Sequence, residues 1–297
     1  MQVIDFIVDQ SLMELTEHRT EALPIMCYET VVNLNVNGHI PLHWHDELQF
    51  MLVTEGIAIV QINEEELKIS KGEGLFINSG CLHMVKDEKD ASCTYICLNV
   101  SPTFILPSEL YASFVIPYTQ ATNFPYLHLI PEEMWRKQIL EAILKIKRLF
   151  EGKPLHYELD ISLQLISLWK NIITNDQTLV HEQTEAIKNQ RMKLMLNWIH
   201  THYTGKILLD DIAKAGQLSR SECCRYFKRM LKTTPINYVT NYRIQKSLPL
   251  LQQSKATITD IAYEVGFNST SYFIDKFRQS MRITPFVYRK NHLSFEG

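Results

Sequence analysis

The sequence predicts an α+β chain of two domains: a small β-barrel or sandwich followed by two helices, then an all-α domain. Three observations predict it. Short runs rich in Val, Ile, Leu and Phe crowd residues 27–100, separated by turn signals. From about residue 190 the apolar period becomes that of short helices, and that part repeats itself about fifty positions later. Charge divides at the same place: of 30 Lys+Arg and 33 Asp+Glu, 18 basic but only 7 acidic residues lie between Lys188 and Gly297. The front is therefore acidic and the back basic, so only the back suits a polyanion.

A length of 297 residues accommodates two domains, and 45% hydrophobic with 21% charged residues excludes wholesale disorder and fibrous repeats. No apolar run is long enough to span a bilayer. Asp5 and Asp9 interrupt the first apolar stretch, which does not read as a signal peptide. Six cysteines, at 27, 81, 93, 97, 223 and 224, form no CxxC pair. The expectation is a cytoplasmic protein whose reduced thiols mostly fill its core.

In the front, strands are expected at Cys27–Val36, Leu48–Thr54, Ile57–Ile62, Leu67–Ser70, Gly74–Asn78 and Ser92–Val100. The turn pairs Asn37-Gly38, Glu55-Gly56 and Lys71-Gly72 fall between them. Two amphipathic helices follow, Pro131–Phe150 and Leu155–Ile173. The first places Trp135, Ile139, Ile143, Ile146 and Phe150 on one stripe. Residues 176–188, rich in turn and cap residues, read as a connector between domains 1–175 and 189–297.

In the back, Ser219, Ser221, Phe227, Lys228, Thr234, Pro235 and Tyr238 recur as Ser269, Ser271, Phe277, Arg278, Thr284, Pro285 and Tyr288. Asp211-Ile212-Ala213 recurs as Asp260-Ile261-Ala262. Each copy reads as helix, tight turn, helix, with turns Gly216-Gln217-Leu218 and Gly266-Phe267-Asn268. Ser219 and Glu222 make a capping box. Cys223, Phe227, Met230 and Leu231 form the buried stripe of the first second-helix, and Phe273, Phe277 and Met281 that of the other. Ser221, Cys224, Arg225 and Lys228, and in the second copy Ser271, Ile274, Asp275 and Arg278, face outward. Thr234-Pro235 and Thr284-Pro285 each place a cap before Pro at the first helical position. Pro249 falls inside the helix joining the copies, where a kink or early end is expected.

On these residues, 190–290 resembles the DNA-binding domain of AraC/XylS-type transcription regulators. The resemblance implies two helix-turn-helix units, joined by one long helix, reading successive major grooves of double-stranded DNA. Grooves about 34 Å apart suit a connecting helix of about 27 Å plus its flanking turns. Carried over by position, Arg220, Ser221, Cys224, Arg225 and Lys228 form the first interface, and Thr270, Ser271, Ile274, Asp275 and Arg278 the second. Arg225 is the best candidate for a direct guanine contact; the bland alternative is a phosphate contact. Two departures stand out: Lys232 and Arg282 occupy the left-handed caps where glycine is usual, at about 1 kcal/mol each.

Leu42-His43-Trp44-His45-Asp46-Glu47-Leu48-Gln49-Phe50, with Gly80-Cys81-Leu82-His83, resembles a cupin barrel, the front domain of sugar-responsive members of that family. Strand parity puts His43, His45, Gln49 and Met51 on the inner face, with His83 nearby, and sends Trp44 outward against the Pro131–Phe150 helix. Metal-binding cupins have three His and a Glu; here Gln49 takes the Glu position. Three readings stay open for the trio: hydrogen-bonded core histidines, a divalent metal, or a polar effector pocket, which is the preferred one. The resulting expectation is a DNA-binding regulator, not an enzyme, responding to a small effector of sugar type, with no cofactor. The resemblance adds RNA polymerase and a second copy as partners. The alternative is a cupin metalloenzyme using His43, His45 and His83.

Overall fold

The computed structural model describes residues 6–9, 12–34, 38–88, 92–121, 123–175, 183–254 and 256–293. The chain divides into two compact units, residues 1–189 and 190–297.

The first unit is built from strands β1 (Ile25–Val31), β2 (His39–His43), β3 (Leu48–Glu55), β4 (Ile57–Ile62), β5 (Glu65–Ser70), β6 (Gly74–Ile77), β7 (His83–Asp87), β8 (Thr94–Val100) and β9 (Tyr126–Leu129). They form two antiparallel sheets, in the orders β1-β8-β3-β6-β9 and β2-β7-β4-β5. The six predicted strands are present. The first is shorter than expected and begins at Ile25, while β2, β7 and β9 were not foreseen. Both sheets contribute to one inner apolar cluster, including Met51, Val60, Ile69, Leu75, Val85 and Cys97. Side chains of opposite parity on the five-stranded sheet, such as Phe50, Phe76, Ile96 and Leu98, belong to a second cluster under the helices. Two covered faces explain why β3 and β8 read as continuous apolar runs rather than as alternation.

Helices α1 (Ser108–Phe114), α2 (Ile116–Thr119), α3 (Met134–Gly152) and α4 (Tyr157–Asn175) complete this unit. The α3 stripe buries Ile139, Ile143 and Ile146, with Trp135 and Phe150 partly covered. The α4 indole of Trp169, fully buried, donates to the Phe114 carbonyl at 2.8 Å, so its polar atom is satisfied within the apolar layer. α3 packs on β1, β3, β8 and β9. Trp44 instead follows β2 in the other sheet, and its backbone pairs with Leu12 and Glu14. The expectation that Trp44 packs against this helix is therefore corrected: a strand missed in the reading placed it on the wrong sheet.

The second unit is helical: α5 (Gln183–His202), α6 (Leu209–Ala215), α7 (Arg220–Leu231), α8 (Pro235–Gln253), α9 (Ile258–Glu264), α10 (Thr270–Met281) and α11 (Pro285–Leu293). α5 begins inside the expected connector, of which residues 176–182 lie outside the described residues. Ser219 caps α7 in a full capping box with Glu222, and the Thr234 hydroxyl accepts the Asn237 amide at the start of α8. Cys223, Phe227 and Met230 of α7 and Phe273 and Phe277 of α10 are buried; Leu231 and Met281, expected to join them, are only partly covered. α8 does not end at Pro249, as one reading expected, but runs on to Gln253. Ile244 and Leu251 lie in the same core cluster on either side of the proline, and this packing holds the helix across the missing ladder bond.

The two turns also differ from their sequence alignment. Leu218 and Phe267 donate to Ala213 and Ala262 respectively, so Gln217 at φ 53° matches Gly266 at φ 91°, and Asn268 is the extra residue. Gly216 serves close packing instead: a Cβ there would sit 2.7 Å from the Met195 side chain. Lys232 and Arg282 do adopt the left-handed cap, at φ 51° and 63°.

Candidate functional site

In the first unit, antiparallel pairing sets His43 opposite His83 and Gln49 opposite Asn99. Together with His45, just past β2, this brings the four predicted polar residues together inside the barrel. His43, His45, Gln49 and His83 are all buried. The Nδ1 atoms of His43, His45 and His83 lie 2.8, 3.2 and 2.9 Å from the carbonyl oxygens of Pro41, Glu47 and Cys81. Gln49 Oε1 lies 3.0 Å from His45 Nε2 and 3.1 Å from His83 Nε2. Burial, followed by the other imidazoles, holds His43 well below the ordinary histidine range and His83 down to about 3; His45 is lowered too, chiefly by burial. One ligand nitrogen from each ring falls within a 4.8 Å cluster, so among the described residues this trio could hold a metal.

Beside the trio lies a cavity of about 40 Å3, lined among others by Glu14, His18, Tyr28, Thr30, His43 and Gln49. By this measure one water needs roughly 10–15 Å3, so the cavity as folded holds only a few water-sized groups. Met51 does not line it and belongs to the inner apolar cluster. Glu14 and His18 were missed in the sequence. They precede the first strand and enter through the segment whose backbone pairs with Trp44. Glu14 Oε2 is 3.1 Å from His18 Nε2 and 3.7 Å from His43 Nε2, while Glu14 Oε1 is buried without a hydrogen-bond partner. His18 Nδ1 is 3.2 Å from the Tyr28 hydroxyl. The only available sequence signal was an acid four positions before a histidine in an otherwise featureless stretch.

In the second unit, α7 and α10 present the expected outer faces. Ser221, Arg225, Lys228, Ser271, Ile274, Asp275 and Arg278 are exposed; Cys224 and Thr270 are half-buried. Arg220 is held by both carboxylate oxygens of Asp210, and the same contact holds the Asp210 carboxyl below its usual range. Asp275 accepts a 2.8 Å hydrogen bond from Gln279, with Lys276 3.9 Å away. Not every cation is free to meet a polyanion: Arg243 donates to the Tyr203 and Gly205 carbonyls and Arg289 to those of Leu251 and Ala256.

A barrel with a cavity beside buried histidines and a buried glutamate, followed by paired helix-turn-helix units, defines the class of ligand-binding, DNA-binding regulators. Residues 33–120 match the AraC-like ligand binding domain and residues 212–291 the helix-turn-helix domain. The chain is 59% identical over 286 residues to the uncharacterized HTH-type transcriptional regulator YdeC of Bacillus subtilis (strain 168), covering 96% of this chain and 98% of that one. It is also 24% identical over 263 residues to the HTH-type transcriptional activator RhaS of Escherichia coli O139:H28, with 86% and 89% covered. Among solved structures, an apo ToxT variant from Vibrio cholerae aligns over 92% of this chain and 98% of its own, at TM-score 0.43 and 14% identity. The chain belongs to the AraC/XylS family of HTH-type transcriptional regulators. No helix among the described residues is long and apolar enough to cross a membrane.

Proposed function

We propose that this regulator acts in the cytoplasm, reading double-stranded DNA through α7 and α10 and responding to a small polar effector held between Glu14, His43 and Gln49. The observation that carries the reading is the repetition of one design: α7 and α10 each bury one apolar stripe and expose a face of mostly short-chain, hydrogen-bonding or cationic residues. Arg225 is the first reader's base contact, a guanidinium able to bridge guanine O6 and N7. Ser221, Cys224, Thr270, Ser271 and Ile274 add close contacts, and Asp275 an acceptor for a cytosine amine. Lys228 and Arg278 supply phosphate contacts, which position without specifying. Arg220 joins them only by leaving Asp210.

Effector binding changes DNA affinity by linkage, each ligand favouring one state of the chain. A sugar would require the cavity to open well beyond its folded volume. Pairing of two copies raises the effective concentration of the second DNA module, and activation adds contact with RNA polymerase. Genome-wide footprinting of the full-length protein tests the reading: it expects a few discrete sites sharing one sequence pattern, and uniform occupancy that follows only phosphate density would overturn it.

A further inference from the structure

One carboxyl group inside the first unit has more acceptor capacity than its neighbours satisfy. Glu14 is 6% exposed, and its Oε2 lies 3.1 Å from His18 Nε2 and 3.7 Å from His43 Nε2. Its Oε1 is buried with no hydrogen-bond partner, a costly state for a carboxyl oxygen. His43 adds a second open acceptor beside it. A carbonyl oxygen only accepts, so the 2.8 Å contact with Pro41 places the ring proton of His43 on Nδ1, and Nε2 keeps its lone pair. Glu14 Oε2, 3.7 Å from that lone pair, is another acceptor and cannot satisfy it.

Both residues line the same cavity of about 40 Å3, where Phe6, Ile40, Val85 and the rings of Tyr28 and Tyr95 supply apolar wall. Phe6 meets the His43 ring edge-on with centroids 4.5 Å apart, so the apolar wall begins next to the open acceptors. This arrangement calls for a compact group that is cationic, rich in donors and joined to an apolar body. A hydroxyl brings one donor and no charge, and a carboxylate brings the same charge as Glu14. A primary ammonium brings three N–H donors and a positive charge, and its chain suits the apolar wall.

We propose that this cavity binds a short primary amine in its ammonium form. The head donates to Glu14 Oε1 and His43 Nε2, and the chain lies against Phe6, Ile40 and Val85. At roughly 10–15 Å3 for each water-sized group, the folded cavity admits the head and about two or three carbons. This inference rests on the reading of the barrel as the effector domain and names the chemical class of the effector.

The test titrates the full-length protein, in EDTA, with propylammonium chloride and follows binding by ligand-observed NMR. Propan-1-ol and sodium propionate are the neutral and anionic probes of matching length. A ligand this small binds weakly, with a Kd expected between about 0.1 and 10 mM. Propylammonium should bind at least about tenfold tighter than either matched probe, a difference set by the unpartnered carboxyl oxygen. Glu14→Gln should weaken it by about tenfold or more, while Glu17→Gln, an exposed acid on the same segment, should leave it unchanged. If Glu14→Gln does not fold, the wild-type ranking of the three probes decides. Equal affinity for the three, no binding of propylammonium up to about 50 mM, or undiminished binding in folded Glu14→Gln overturns the proposal. DNA affinity at a footprinted site reads the effector role separately, with sodium chloride as the control at equal ionic strength because salt alone weakens such binding. Propylammonium should shift it at least about fivefold. A shift produced by propan-1-ol or propionate instead keeps the effector domain and overturns the amine. Propylammonium binding with unchanged DNA affinity leaves the site standing and refutes the amine as effector.

Discussion

The two faces of α7 make opposite predictions, testable in a single pair of variants. Phe227 is fully buried and meets the Tyr238 ring edge-on at 5.8 Å. Tyr238 in turn receives a 2.8 Å contact from His200, so the ring supports the junction of α5, α7 and α8. Phe227→Ala removes that ring from a close-packed site, at a cost of about 3–5 kcal/mol. Against a net stability of roughly 5–15 kcal/mol for a domain, that is a large fraction. Hydrogen exchange read by mass spectrometry should show α7 and α8 amides exchanging about two to three and a half decades faster, at 1.4 kcal/mol per decade. Arg225→Ala, on the exposed face, should leave exchange unchanged within about 0.5 kcal/mol. It should instead weaken specific duplex binding by about 1–3 kcal/mol and relax preference at one base. Native exchange protection in Phe227→Ala would refute the assigned buried face. Equal loss on all sequences in Arg225→Ala would demote that residue to a phosphate contact.

Three further substitutions probe the backbone. Lys232→Gly removes a left-handed strain of about 1–2 kcal/mol and adds a glycine entropy cost of about 0.5–1; a net gain of roughly 0.5–1 kcal/mol in denaturant unfolding is expected, together with a salt slope of DNA binding smaller by about 1. An unchanged slope would show that Lys232 makes no phosphate contact. Gly266→Ala would put a Cβ 2.4 Å from the Tyr203 carbonyl at φ 91°, so a loss above about 2 kcal/mol is expected, and a neutral outcome would disprove that turn geometry. Pro249→Ala restores a ladder bond inside α8 and should stabilise the second unit by about 1–3 kcal/mol; no change in the denaturant midpoint would mean that the proline is strain-free there.

What could be read in the sequence was what is encoded within a dozen or so residues. Ser219 with Glu222, then Cys223 and Phe227, combine a cap with a helical stripe, two independent local signals that agree, and both second-helices fall where expected. The turns resisted because a left-handed residue need not be glycine: Gln217 takes that conformation while Gly216 makes room for Met195. β2, β7 and β9 escaped notice because polar or proline residues, such as Pro41, Lys86 and His128, break up their apolar pattern. β9 (Tyr126–Leu129) is set in place by pairing with β6, and nothing in four residues encodes a partner so far back in the chain. Trp44 shows the same limit: its parity was readable, but the sheet to which it belongs was not.

The site carries this limit into its chemistry. Read locally, Gln49 deletes a negative charge from the histidine cluster. In the folded chain a carboxyl group returns through Glu14, on a segment with no strand pattern, held by backbone pairing to Leu12–Trp44 and Glu14–Trp44. The charge has therefore moved from the ligand position to the cavity wall, 3.7 Å from His43.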